Sequence, residues 1–164
     1  MAKTDLTAQR LRELLHYDPE TGVFTWLKKP NRRIVVGSVA GNFTDDGYRA
    51  IRVDGRIYRL HRLAWLYAHG RWPDNYIDHI DGNPLNNRIC NLRDVPQSVN
   101  LQNLRSAKKG NASRFLGVRK HRNKWQASIT IDGKYIHLGE YFEPEHAHAA
   151  YLTAKRIHHQ GNML

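Results

Sequence analysis

A chain of 164 residues suits one ordinary domain or two small ones, each with a thin core. Lys and Arg total 26 against 15 Asp and Glu, a formal net charge of +11 that points to a polyanion, nucleic acid ahead of an acidic membrane surface. The apolar runs are too short for a membrane span, no secretory core opens the chain, and the single cysteine, Cys90, excludes an internal disulfide or a zinc site built on paired cysteines. The expected setting is cytoplasmic, and Cys90 is expected as a small buried side chain.

In chain order, Thr7 caps a predicted helix over residues 8–16, with Leu11, Leu14 and Leu15 on one face. A turn over 17–22 leads to a strand over 23–28, and a second short strand is expected over 35–40. Residues 48–53 alternate, Asp54-Gly55 signals a two-residue hairpin, and the return strand runs through Ile57, Tyr58 and Leu60. Residues 61–69 (HRLAWLYAH) read as a helix closed by Gly70, with Trp72-Pro73 opening a loop. A strand over 76–80, a polar loop, and a helix capped by Asp94 and running to about residue 104 complete this part.

Residues 105–113 (RSAKKGNAS) read as a flexible basic linker. Beyond it three short strands (115–119, 124–131, 134–142) meet at turns containing Arg122-Asn123 and Asp132-Gly133. Pro144 opens a helix to about residue 159, with Ala147, Ala150, Tyr151, Ala154 and Ile157 on one face. His146, His148, His158 and His159 are expected on its solvated side. Residues 104–164 hold eleven Lys or Arg and four Asp or Glu, so the denser positive field lies here.

The chemistry concentrates in YIDHIDGNPLNNRICNLRDVPQSVNLQN, residues 76–103. Phosphodiester hydrolysis needs an activated water, charge relief on the phosphoryl oxygens and help for the leaving oxygen, the last two within reach of a divalent ion. Asp78 and Asn100 are the oxygen donors that a hard cation such as Mg²⁺ or Mn²⁺ prefers, with Asn103 as the alternative to Asn100. His79 can take a proton from water near neutral pH, although a regular strand would aim it away from Asp78. Asn91 can hold the loop or the imidazole. Asn83, Asn86 and Asn87 read as turn formers, Arg93 as solvated, and His61 equally as a site residue or a structural one.

This stretch, with YDPETGVFTW (17–26) and HRLAW (61–65), resembles the HNH or ββα-metal nucleases of the phage and intron homing type. The resemblance implies an ion on Asp78 and Asn100, His79 as general base, Asn91 as loop support, and products with 5′-phosphate and 3′-hydroxyl ends. SRFLGVRKHRNKWQASITIDGKYIHLGEYF and the alanine-rich helix resemble an AP2 domain, which implies a sheet in the major groove of double-stranded DNA. The expected DNA-facing residues are Arg119, His121, Ser128, Thr130, Tyr135 and His137, with Arg122, Lys124 and Lys134 in the turns. Trp125 is expected between sheet and helix.

The expectation is therefore an α+β chain: an HNH nuclease domain over 1–104, a basic linker over 105–113, and an AP2-like three-stranded antiparallel sheet with one helix over 114–164. It would act as a metal-dependent, site-directed DNA endonuclease and a monomer or weak dimer. The alternatives are a DNA-binding regulator with a vestigial nuclease site and a non-specific DNA nuclease.

Overall fold

The computed structural model describes residues 6–104, 107 and 110–159. The chain forms two compact units, one ending at Pro96 and the other beginning at Gln97. Among the described residues it is an α+β chain of four α-helices and four small antiparallel sheets. Arg105, Ser106, Lys108 and Lys109 of the expected linker lie outside the described residues.

In the first unit, α1 (Ala8–Leu14) is capped by Thr7, whose Oγ1 accepts from the Arg10 amide at 3.1 Å. The helix stops short of the expected His16. Leu15 to Asp18 form β1, which pairs with β2 (Val23–Trp26) in the register Leu15 to Trp26 and Tyr17 to Phe24. All four of these side chains are buried, a gain that continuing the helix would not have given. The strand expected over 35–40 is not formed. Val35, Val36 and Val39 are more than half exposed, and only Val39 makes a bridge, to Thr25.

The short β3 (Asn42–Phe43) pairs with β4 (Arg49–Val53), and β4 with β5 (Arg56–Arg59). The turn between β4 and β5 has positive φ at Asp54 (48°) and Gly55 (82°), as its hairpin twist demands. Next, α2 (Leu60–His69) buries Leu60, His61, Leu63, Ala64 and Leu66 and ends at Gly70 with φ 73°. β6 (Tyr76–His79) pairs with β7 (Leu92–Val95). Asp94 is therefore a strand residue and not the expected helix cap. Its carboxylate accepts from the amides of Asp74 and Asn75, each at 2.8 Å, tying the entry of β6 to β7. One apolar core, centred on Leu11, Phe24, Leu60 and Leu63, joins these elements.

In the second unit, α3 (Gln97–Gln102) precedes a sheet of β8 (Val118–His121), β9 (Lys124–Ile131) and β10 (Lys134–Tyr141), with β9 in the middle. α4 (Pro144–His158) starts with Pro144 in its first turn and packs on one face of that sheet. Alternation along β9 sends Ala127 and Ile129 toward the helix and Gln126, Ser128 and Thr130 to the other face. Trp125 packs beside the small cluster of Val118, Ala127 and Ala147. Upstream, Asn111 and the buried Ser113 are tied in: the Ser113 amide donates to Asn111 Oδ1 at 2.9 Å and its hydroxyl donates to the Val118 carbonyl at 2.9 Å.

Two expectations for α4 need correction. Ile157 is 70% exposed, and the last turn buries Lys155 instead, whose Nζ donates to the Leu104 carbonyl. The histidines do not share a solvated side. His146 and His158 are exposed, but His148 stacks on Phe115 at 4.8 Å and bonds the Leu116 carbonyl, and His159 bonds the Thr130 carbonyl.

Gly117 enters β8 with φ 70°, and a Cβ there would lie 1.9 Å from the Tyr151 ring. Close approach and left-handed backbone thus coincide. Gly117→Ala should destabilise the second unit by about 2 kcal/mol or more, read as a lower urea midpoint for loss of the sheet.

Candidate active site

The site is built on β6. Its antiparallel register sets Asp78 opposite Arg93 and His79 opposite Leu92. Asp78 is 5% exposed, and its Oδ2 receives Arg93 Nε at 2.8 Å and Nη2 at 2.7 Å. The arginine expected in solvent therefore holds a buried carboxylate in place, since a buried anion requires a charged partner.

His79 closes the same strand and is equally buried. Its ring meets His61 edge-on at 5.2 Å and 89°, and Tyr48 at 6.0 Å. Tyr48 and His61 are themselves in contact at 5.2 Å, and the Arg59 guanidinium lies over the Tyr48 ring at 4.5 Å. Nε2 of His79 lies 3.2 Å from Asn87 Oδ1. An amide oxygen only accepts, so in the neutral ring Nε2 carries the proton and Nδ1 is the basic nitrogen. Burial lowers the affinity of His79 for a second proton, opposed by the Asn87 hydrogen bond and the charges of Asp81 and Asp78. Burial, and after it the proximity of His79, Arg59 and Arg62, takes His61 down to about 3, so this second ring is neutral at physiological pH.

The loop from His79 to Asn91 is knitted by its own side chains. Asn91 Oδ1 accepts from the Asp81 amide at 3.0 Å, and its Nδ2 donates to Asp81 Oδ1 at 2.9 Å and to the Asn86 carbonyl at 2.8 Å. Asn86 Nδ2 donates to Asp81 Oδ2 at 2.7 Å. Burial raises the Asp81 carboxyl, but these donors and the Asn83 amide outweigh it and hold the group below its ordinary value. Asn87 is 2% exposed, and its backbone carbonyl accepts from Tyr17 Oη at 2.7 Å. A Cβ at Gly22 would lie 2.6 Å from the Arg88 nitrogen and the Asn87 carbonyl carbon, so the β1–β2 hairpin presses directly on this loop.

Asn87 and His61 thus both contact the His79 ring. The sequence marked Asn87 only by the density of amides around it, and left His61 undecided. Cys90, expected inside, is exposed on the 3-10 turn Ile89–Asn91, where Asn91 takes the buried place. Asn100 lies half-buried on α3, which belongs to the second compact unit.

Of the residues expected to face DNA, Arg119, His121, Arg122, Thr130, Lys134, Tyr135 and His137 are exposed, and Lys124 and Ser128 are half-buried. Arg119, His121, Ser128, Thr130, Tyr135 and His137 occupy the sheet face opposite α4. Arg122 occupies the β8–β9 turn with φ 53°.

Residues 58–105 match the HNH endonuclease family, a span that contains Asp78, His79, Asn91 and Asn100. The chain is 35% identical over 105 residues to protein 3.8 of Escherichia phage T7, covering 62% of this chain and 86% of that protein. It is 33% identical over 84 residues to DNA endonuclease I-HmuI of Bacillus phage SP01, covering 48% of each chain. No solved structure gives a significant match. The chain belongs to the HNH endonuclease family. It is a nuclease, a hydrolase of phosphodiester bonds.

The sign of the pH effect follows from the two buried rings. His61 binds a proton more readily unfolded, near 6.5, than folded, near 3, so stability is complete above about pH 6.5 and falls as pH drops toward 3. Between pH 7 and pH 5 the His61 contribution is about 2 kcal/mol, at 1.36 kcal/mol per pKa unit. Urea unfolding at the two pH values should show that loss, and His61→Gln should reduce it.

Proposed function

We propose that the protein is a metal-dependent, site-directed DNA endonuclease, with His79 as the general base. The observation that carries this reading is the buried His79 ring, fixed by Asn87 in the tautomer that leaves Nδ1 basic, next to the buried Asp78 carboxylate in a span matched to the HNH endonucleases. Double-stranded DNA as substrate is supported by the net charge of +11 and by the likeness to a protein named as a DNA endonuclease.

One carboxylate and amide oxygens are the donors a hard ion such as Mg²⁺ or Mn²⁺ accepts when phosphate completes its shell. By the resemblance to the HNH nucleases, Asp78 and Asn100 would hold the ion. When bound, the ion supplies charge relief on the phosphoryl group and stabilises the leaving oxygen. His79 Nδ1 takes the proton from the attacking water, and Asn87 keeps the ring aimed while it does so. Asn91 closes the loop that carries both. Hydrolysis in this sense leaves 5′-phosphate and 3′-hydroxyl ends.

The C-terminal residues would act as an AP2-like reader over 114–164, joined through a basic linker over 105–113 to the nuclease domain over 1–104. Arg119, His121, Ser128, Thr130, Tyr135 and His137 would face the groove, and Arg122, Lys124 and Lys134 would meet phosphates. The monomer or a weak dimer suffices for this arrangement.

His79→Ala should abolish nicking of a supercoiled plasmid in Mg²⁺ while changing DNA affinity by less than about threefold, and Asp78→Ala should remove the response to metal. Asn87→Ala should slow cleavage by about 10- to 100-fold, the usual effect of losing a group that orients an active residue. Equal losses of binding and cleavage in all three variants would refute the assignment.

A further inference from the structure

On the sheet face opposite α4, the side chain that organises the others is Gln126, which the sequence does not single out. It sits on the central strand, with Arg119 and Glu140 as its direct cross-strand partners. Its Oε1 accepts from Arg119 Nε at 2.5 Å, and its Nε2 lies 2.9 Å from His137 Nδ1. Tyr135 Oη reaches the same Oε1 at 3.4 Å, and the Arg119 guanidinium lies 5.9 Å from the Tyr135 ring centre. A bulge between His137 and Gly139 lets His137 and Glu140 share the exposed face while Leu138 and Tyr141 pack inward. Glu140 is occupied by His121 Nδ1 at 2.7 Å.

The donor and acceptor logic has one consistent solution. Arginine only donates, so the amide turns its oxygen to Arg119 and its NH₂ to His137. His137 then accepts at Nδ1 and carries its proton on Nε2. Arg119, with Nε committed, has no other hydrogen bond among the described residues, so both terminal nitrogens remain for a ligand. Guanine offers two acceptors, N7 and O6, in the major groove, whereas adenine and cytosine present amino donors there.

We propose that Gln126 is a specificity-determining residue, holding Arg119 and His137 as paired hydrogen-bond donors so that this face selects guanine under Arg119 and an acceptor-bearing base under His137. This rests on the reading that the sheet meets DNA. Gln126 is here a positioning residue that acts through its two neighbours.

The test uses the full chain carrying His79→Ala, in metal-free buffer, to select binders from a randomised DNA duplex pool for sequencing. The expected motif contains a guanine whose preference falls about tenfold in Gln126→Ala, the scale of one bidentate base contact, while affinity for the unselected pool changes by less than about threefold. Gln126→Glu still accepts from Arg119 but has no hydrogen for His137, so it should keep the guanine and lose the neighbouring preference. ¹⁵N spectra of the imidazoles should show His137 protonated at Nε2, and a mixed tautomer in Gln126→Ala. A motif without guanine, or an unchanged motif in Gln126→Ala while Arg119→Ala weakens binding, overturns the proposal and leaves the sheet as reader. Unchanged binding in both Arg119→Ala and Gln126→Ala removes the reader as well.

Discussion

The hydrogen bond between His79 and Asn87 is the contact on which the active region depends. A buried imidazole can serve as a base only if its proton is fixed on one nitrogen, and the Asn87 oxygen fixes it. Asn87 is positioned in turn by Tyr17 and by the glycine-narrowed approach of the β1–β2 hairpin. The first strands of the chain therefore control the orientation of a ring some sixty residues later. The His61 and Tyr48 rings close the other sides without competing for the proton, because burial keeps His61 neutral. Asp78, one residue away, has a separate environment: it answers to Arg93 across the ladder. Strand alternation turns the two adjacent side chains to different partners, His79 to aromatic rings and an amide and Asp78 to a guanidinium.

Sequence reading reached much of this because the strongest signals are local. Asp54-Gly55 and Asp132-Gly133 carry their turns in two residues, and both turns show the positive φ they require. Pro144 and Gly70 bound helices for reasons of backbone chemistry. The failures have a common cause in tertiary pairing. Leu15 and His16 left the expected helix because they pair with β2, and Val35 to Val39 formed no strand, touching β2 through the single bridge from Val39 to Thr25. Asp94 reads as a cap by composition, yet two amides twenty residues upstream claim its carboxylate.

The residues of the candidate site divide in the same way. Asp78, His79 and Asn91 stand out through residue type and spacing. Asn87 and Arg93 have no such signature, since an asparagine in a turn and an arginine on a strand are ordinary until the fold supplies their partners. Gln126 is the parallel case in the second unit: its importance lies in bonding Arg119 and His137 on two different strands at once. Lys155 takes the buried place expected of Ile157, because a carbonyl at Leu104 satisfies its ammonium.

The polar bonding of residues 79–91 has a further consequence. Every side-chain hydrogen bond that knits this loop to itself spans ten residues or fewer. Closing so small a ring of chain costs little entropy, and contacts this local form early. The loop can therefore take shape while the ribosome is still delivering the downstream helix. Its own side chains set much of its geometry, and Tyr17 with the β1–β2 hairpin braces Asn87 from outside.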